Sequence, residues 1–181
     1  RYIFHMPRLV ETKLGPKLAD GETHVVRLRD GRHLLARSWP GRGDPVVLLH
    51  GMLDSCEGWS DFCRTSHRAF IAFDLPGFGG SDLPSRPRIS AYAEDIADAV
   101  EQLGLERFAL VGHSLGGAVA VGVAERMPDR VSGMLLLAPA GFGRIPLAEA
   151  ISIPGVRNVA QMALPLALTH RLPLRLAYRT M

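Results

Sequence analysis

The sequence predicts an α/β fold, a mostly parallel sheet with helices on both faces and an antiparallel hairpin at its start. Short apolar runs alternate with helical patterns through the middle of the chain. Two strand-like segments flank an Asp-Gly turn at residues 30–31, which is typical of a hairpin. A Gly-x-Ser-x-Gly turn at residues 112–116 separates an apolar run from a helical pattern. Parallel strands need such crossover helices, so the alternation favours a parallel sheet.

Composition sets the broad class of the protein. The chain has 181 residues, 47% of them hydrophobic and 22% charged, which is enough for one substantial core. The formal net charge is +3, and the arginines are scattered rather than clustered. We therefore expect a small-molecule substrate and no nucleic acid. The sequence contains neither an apolar run long enough to predict a membrane span nor a signal-peptide pattern.

The two cysteines, Cys56 and Cys63, form neither a Cys-x-x-Cys pair nor a zinc-type pattern. We expect them to be free thiols in a reducing compartment, which favours a cytoplasmic protein. No metal and no cofactor are expected.

The first half of the chain predicts a hairpin followed by two buried strands. The hairpin strands are residues 23–28 and 32–39, and residues 40–45 form a loop rich in Pro and Gly. The apolar runs at residues 46–49 and 69–73 are typical of strands buried on both faces. Residues 57–63 between them predict a short helix.

The second half begins with a long turn at residues 74–82. Ser90 is predicted to cap a helix over residues 91–103, which Gly104 ends. A strand at residues 108–111 follows.

A helix over residues 115–127 is then predicted, and Pro128 breaks it. Small residues early in this helix should let it pack closely on the sheet: Gly116, Gly117, Ala118, Ala120 and Gly122. A further apolar strand is predicted at residues 131–138.

Ser114 is the candidate nucleophile. A serine on a sharp bend between strand and helix presents its hydroxyl at the carboxyl end of the strand, near a helix N-terminus. A tetrahedral oxyanion would need preorganised donors, and the backbone N–H groups of Met52 and Leu115 are the candidates. The alternative is a glycine-rich turn in an ordinary βα unit.

Three co-linear motifs resemble the α/β-hydrolase superfamily: His-Gly-Met at residues 50–52, Asp-Leu-Pro-Gly-Phe-Gly-Gly-Ser-Asp at 74–82 and Gly-His-Ser-Leu-Gly-Gly at 112–117. The similarity covers residues 23–143. It implies Ser114 as nucleophile, oxyanion donors at Met52 and Leu115, and a cap inserted after the strand at residues 131–138.

The serine at position 114 also limits which activities of that family the resemblance implies. Epoxide hydrolases and haloalkane dehalogenases of the family carry aspartate at this position, so the resemblance disfavours them. Esterase, lactonase, thioesterase, amidase, carbon–carbon bond hydrolase and cofactor-free haloperoxidase activities stay open.

The catalytic acid and histidine are not identified in the sequence. In the family they follow the serine, first the acid and then the histidine. The carboxylates downstream are Glu125 on a helix, Asp129 at the wrong end of the sheet, and Glu149 beyond a strand end. The histidine downstream is His170, among cap-like helices. We therefore expect this sequence to be the N-terminal part of a longer hydrolase that supplies both groups.

The domain organisation follows from these patterns. Residues 1–22 are predicted to be a tail, with residues 1–5 a remnant of cloning. Residues 23–144 form an incomplete α/β-hydrolase core, and residues 145–181, punctuated by prolines, form a helical cap. The strand at residues 131–138 would then be an exposed sheet edge, covered by a missing C-terminal segment or by a second copy in a homo-oligomer.

Two functions are compatible with these patterns. The first is a serine hydrolase acting on a small apolar ester or related carbonyl through an acyl-enzyme at Ser114. The second is a non-catalytic binding or assembly protein on the same scaffold, with an apolar contact surface in the cap formed by Leu164, Leu166, Leu168 and Leu172.

Overall fold

The computed structural model describes residues 21–141. Most of the predicted tail and the whole predicted cap lie outside these residues. The strands are β1 (Glu22–Arg27), β2 (His33–Trp39), β3 (Arg42–Leu49), β4 (Arg68–Phe73), β5 (Phe108–His113) and β6 (Val131–Leu137). The helices are a 3₁₀ turn (Cys56–Trp59), α1 (Ser60–Arg64), α2 (Ile89–Gln102) and α3 (Leu115–Arg126).

The six strands form one sheet in the order β1-β2-β4-β3-β5-β6. Strand β2 pairs antiparallel with both β1 and β4, whereas β4, β3, β5 and β6 run parallel. The predicted α/β class, with an antiparallel hairpin and a mostly parallel sheet, is confirmed. Because the parallel strands share one direction, the loops after β3, β4, β5 and β6 leave the same edge of the sheet.

Helices cover both faces of the sheet, as predicted. Alternate residues of a strand point to opposite faces. Val47 and Leu49 of β3 are fully buried in the larger core cluster, with apolar side chains of α2 and α3. Leu48 faces the other way, into a smaller cluster that contains Cys56 and Cys63 of the 3₁₀ turn and α1. Within residues 21–141, no helix combines the length and apolar character that crossing a membrane would require.

Most element ends lie within two residues of the predicted ones, and strand β3 and the first helical segment differ in other ways. Strand β3 begins at Arg42, inside the predicted loop, because Arg42 pairs with Arg68 of β4 before an irregularity shifts the register at Val46. The predicted helix at residues 57–63 is a 3₁₀ turn followed by α1, which ends at Arg64.

The predicted cap at Ser90 is wrong. Helix α2 starts at Ile89, and Arg88 takes the extended N-cap conformation without a side-chain capping bond. The Arg88 carbonyl accepts hydrogen bonds from the N–H groups of Ala91 (3.0 Å) and Tyr92 (3.2 Å). Ser90 therefore lies inside the first turn, where its side chain does not cap the helix.

Strand β6 lies at an edge of the described sheet and exposes apolar side chains. Met134, Leu135 and Leu137 are 43%, 55% and 38% exposed. What covers this edge, a C-terminal segment or a second copy, stays a prediction.

Gly104 ends α2 as predicted, with a φ of +67°. Its N–H donates to the Glu101 carbonyl (2.9 Å), and nothing lies within 4 Å of the place a Cβ would take. The conformation, rather than crowding, therefore favours glycine here.

Gly104→Ala should lower the free energy of unfolding by about 1 kcal/mol, because an L side chain disfavours positive φ. Gly133→Ala is the matched control, since this β6 glycine also has open space around it but no positive φ. That substitution should be neutral or stabilise slightly. Urea unfolding of both variants checks the prediction, which an equal response to the two substitutions would contradict.

Candidate active site

Loops from neighbouring parallel strands meet around Ser114 at the carboxyl edge of the sheet. Leu49, the last residue of β3, pairs with Gly112 of β5 on one side and with Phe73 of β4 on the other. The motifs at residues 50–52, 74–82 and 112–117 therefore start at the same level of the sheet. Open α/β sheets place their ligands in this position.

Ser114 lies between β5 and α3 in a strained conformation. Its φ is 50° and its ψ is −113°, a region that L residues rarely adopt and that costs about 1–3 kcal/mol. The residue is half-buried, and its hydroxyl makes no hydrogen bond with another residue in the range 21–141. The sharp bend predicted from the sequence is present.

The glycines beside Ser114 are required by contacts between backbones. A Cβ on Gly112 would clash with the carbonyl oxygen of Gly116, and a Cβ on Gly116 would clash with the carbonyl oxygen of Leu49. The start of α3 therefore lies directly against β3, as the small residues predicted. Gly122 differs, because its missing Cβ leaves room for Ala93 of α2 rather than for the sheet.

The loop after β3 lies beside Ser114. The Gly116 N–H donates to the His50 carbonyl (3.1 Å), and a Cβ on Gly51 would be 3.3 Å from the Ser114 Cβ. The N–H groups of Met52 and Leu115 donate to no acceptor within the described residues. Among the described residues, the loop after β3 and the start of α3 therefore each carry one N–H group without an acceptor.

His50 supports the loop. Its Nδ1 lies 2.6 Å from the Gly51 carbonyl oxygen, and its Nε2 accepts a hydrogen bond from the Leu75 N–H (2.9 Å). These partners assign the neutral tautomer with hydrogen on Nδ1. Burial lowers the pKa of His50. Since both ring nitrogens are occupied, His50 holds the loop and is not arranged to act as a base for Ser114.

Asp74 connects the loops after β3 and β4. The carboxylate is buried and accepts hydrogen bonds from the N–H groups of Cys56 (2.6 Å) and Gly80 (2.8 Å). The Ser81 hydroxyl donates to the Asp74 carbonyl (2.7 Å). The sequence predicts residues 74–82 as a long turn and as one of the three family-like motifs, but it assigns no role to Asp74 itself. The signal available was a carboxylate directly after a buried strand.

Of the downstream carboxylates, the two that the structure describes lie away from Ser114. Glu125 is exposed near the end of α3, about 16 Å along the helix from Ser114 at 1.5 Å per residue. Asp129 is exposed in the turn after that helix. Glu149 and His170 lie outside the described residues. Across residues 21–141, no group of three or more His, Cys, Asp or Glu side chains could hold a metal ion.

Cys56 and Cys63 are free and buried. Burial raises the pKa of the Cys63 thiol to about 12, and burial beside Asp74 raises the pKa of Cys56 well above its usual value. Neither is therefore a thiolate nucleophile near neutral pH.

Because two histidines are buried, we expect the free energy of unfolding to fall in mild acid. His24 and His50 both have a pKa below the ordinary 6.5 because of burial. As the pH falls below about 6.5, the unfolded chain takes up protons that these rings resist in the folded state. Each group should then cost up to about 1.4 kcal/mol per pH unit until its folded pKa is reached.

His50→Gln should flatten this pH profile while lowering stability near pH 7, because Gln does not titrate and replaces the two hydrogen bonds only in part. His67→Gln removes an exposed imidazole and serves as the control. Urea unfolding at pH 5, 6 and 7 measures the effect. An unchanged slope in His50→Gln would contradict the neutral assignment of this ring.

The sequence matches the family profile described as the alpha/beta hydrolase fold over residues 44–162. The chain is 39% identical over 114 residues to a 1-acylglycerol-3-phosphate O-acyltransferase of Sus scrofa, covering 56% of this chain and 31% of that protein. It is 35% identical over 112 residues to the 2-hydroxy-6-oxo-6-phenylhexa-2,4-dienoate hydrolase of Comamonas testosteroni, covering 57% of this chain and 39% of that protein.

Among solved structures, an esterase from Exiguobacterium antarcticum superposes with a TM-score of 0.60 at 26% identity, covering 67% of this chain and 48% of the esterase. Of the two curated relatives, the acyltransferase and the dienoate hydrolase, the chain spans roughly a third of the length. The profile match extends over more than half of the chain and includes all three motifs that meet around Ser114. Together with the sheet topology, this match shows that the chain belongs to the α/β hydrolase fold family.

Proposed function

We propose that the protein containing this chain is a serine hydrolase that cleaves a small apolar ester or related carbonyl substrate through an acyl-enzyme at Ser114. The observation that carries the proposal is the strained Ser114, whose hydroxyl and whose neighbouring N–H groups at Met52 and Leu115 have no hydrogen-bond partner within residues 21–141. Strained backbone of this kind is concentrated at functional sites. Membership of a hydrolase family supports the reaction class.

The proposed reaction has two halves. The Ser114 Oγ attacks the carbonyl carbon while its proton passes to a histidine, and the resulting oxyanion accepts hydrogen bonds from the Met52 and Leu115 N–H groups. Collapse expels the alcohol, which takes the proton from that histidine and leaves the acyl group on Ser114. Water then attacks the acyl-enzyme, and the carboxylic acid product is released from Ser114.

The histidine and the acid that orients it are proposed to come from outside residues 21–141. His50 already uses both ring nitrogens, and Glu125 is remote from Ser114. The matched regions cover 31% and 39% of the two curated relatives, so most of each relative lies outside the match.

The apolar character of the substrate is inferred from the loop beside Ser114. Met52 and Leu53 are 58% and 46% exposed. Exposed apolar side chains next to the proposed nucleophile favour an apolar acyl or alcohol group over a charged one. We further propose that the protein works in the cytoplasm, a location consistent with two free cysteines.

Ser114→Ala should abolish covalent labelling by a fluorophosphonate probe and lower ester hydrolysis by about 10³-fold or more. Ser85→Ala, at an exposed position in the loop before α2, is the matched control and should react like the wild type. Intact-mass and peptide mass spectrometry locate the adduct. A well-folded complete protein without an adduct at Ser114 would favour the non-catalytic binding or assembly alternative.

Met52→Pro should lower kcat by about 10²–10³-fold, because it removes one proposed oxyanion donor. Met52→Leu keeps the N–H and a similar side-chain volume, so its kcat should stay close to that of the wild type. Steady-state hydrolysis of a p-nitrophenyl ester gives both values, with the melting temperature checking the fold. Equal kcat values for the two variants would remove Met52 from the oxyanion site.

A further inference from the structure

Residues with positive φ, glycine apart, cluster at the carboxyl edge of the described sheet. They are Leu53 (φ 63°), Ser114 (φ 50°) and Ala138 (φ 42°). These residues follow β3, β5 and β6. Ala138 belongs to no motif identified in the sequence, yet it carries the same kind of strain as Ser114. Its environment explains why.

Ser114 and Ala138 lie opposite each other where the β5–β6 ladder would continue. The last described pair is His113 with Leu137. In a regular parallel ladder, Ser114 would donate to the Leu137 carbonyl and accept from the N–H of residue 139. The first bond is present (3.0 Å), but residue 139 is proline and has no N–H.

Ala140 supplies the missing donor. Its N–H donates to the Ser114 carbonyl at 2.8 Å, across the turn made by the positive φ of Ala138. Gly117 makes room for this turn, since a Cβ there would lie 2.7 Å from the Pro139 Cβ. The N–H groups of Gly117 (3.0 Å) and Ala118 (3.4 Å), in the first turn of α3, also donate to the Ser114 carbonyl. The backbone N–H and C=O of Ser114 are therefore both held.

The hydrogen bond from Ala140 bears directly on the proposed oxyanion donor. The Ser114 carbonyl and the Leu115 N–H belong to one planar trans peptide group, so they point in opposite directions. The Ala140 N–H, together with the first turn of α3, fixes the direction of the Ser114 carbonyl and therefore that of the Leu115 N–H on the opposite side of the peptide plane. A turn of this peptide plane would move the N–H away from any oxyanion formed at Ser114.

We propose that residues 138–140 are positioning residues, which orient the Leu115 N–H by holding the Ser114 carbonyl. This inference rests on the proposed hydrolase function. It assigns a role to the turn after β6, whose side chains take no part in the chemistry. Because the oxyanion exists only after attack, misorientation should lower kcat and leave KM nearly unchanged.

Two pairs of variants in the complete protein test the proposal. Ala140→Pro removes the N–H donor, whereas Ala140→Gly keeps it. Ala138→Val places a β-branched residue at positive φ and opposes the turn, whereas Ala138→Gly adopts the turn freely. The Pro and Val variants should lose about tenfold in kcat with KM within about twofold, and the Gly variants should match the wild type.

The readouts are steady-state ester hydrolysis, the rate of fluorophosphonate labelling and the melting temperature. If Ala140→Pro does not fold, the Ala138 pair carries the test. Wild-type kcat in the Pro and Val variants would overturn the positioning role, as would losses of kcat in the Gly variants equal to those in their partners. Absence of labelling in the wild type would instead overturn the proposed function, so the two failures are distinguishable.

Discussion

Direct contact between backbones, where the start of α3 meets β3, is the constraint on which the site depends. A Cβ on Gly116 would clash with the Leu49 carbonyl, and a Cβ on Gly112 would clash with the carbonyl of Gly116. This approach lets the Gly116 N–H reach the His50 carbonyl and brings the loop at Gly51 beside Ser114. A larger residue at either glycine would move the helix, and the loop and serine with it. The strain at Ser114 is tolerated because tight packing and hydrogen bonds hold the backbone on both sides.

Buried polar groups then connect this constraint to the rest of the carboxyl edge. His50 and Asp74 are almost fully buried, and their ring nitrogens and carboxylate oxygens have backbone partners. A buried group left without a partner would cost about 1–3 kcal/mol, so such groups stabilise only the arrangement that satisfies them. The neutral His50 and the paired Asp74 therefore specify one conformation for the loops after β3 and β4. Neither residue needs to touch a substrate to shape the site.

The sequence allowed prediction of those features that depend on short-range sterics. The buried strands and the bend at Ser114 follow from apolar runs and from glycine spacing, and the structure contains them. Features that depend on partners far away in the sequence could not be predicted. Asp74 is bonded to Cys56, which is 18 positions earlier, and Ala140 is bonded to Ser114, which is 26 positions earlier. The start of β3 at Arg42 likewise depends on its pairing with Arg68. No local pattern encodes such pairs, because each becomes visible only when the sheet has formed.

The strand order has a consequence for synthesis of the chain. Strand β3 lies between β4 and β5, yet β5 begins at Phe108, well after β4 has ended at Phe73. Because the ribosome releases the chain from its N-terminus, β1 to β4 can assemble first, with one side of β3 unpaired. Val47, Leu48 and Leu49, which are fully buried in the folded protein, stay without their β5 neighbours until that strand has been synthesised. Closing such a non-local pair is slow compared with forming a hairpin. The nascent chain therefore leaves the apolar residues of β3 without their β5 partners until the segment that carries Ser114 has been made.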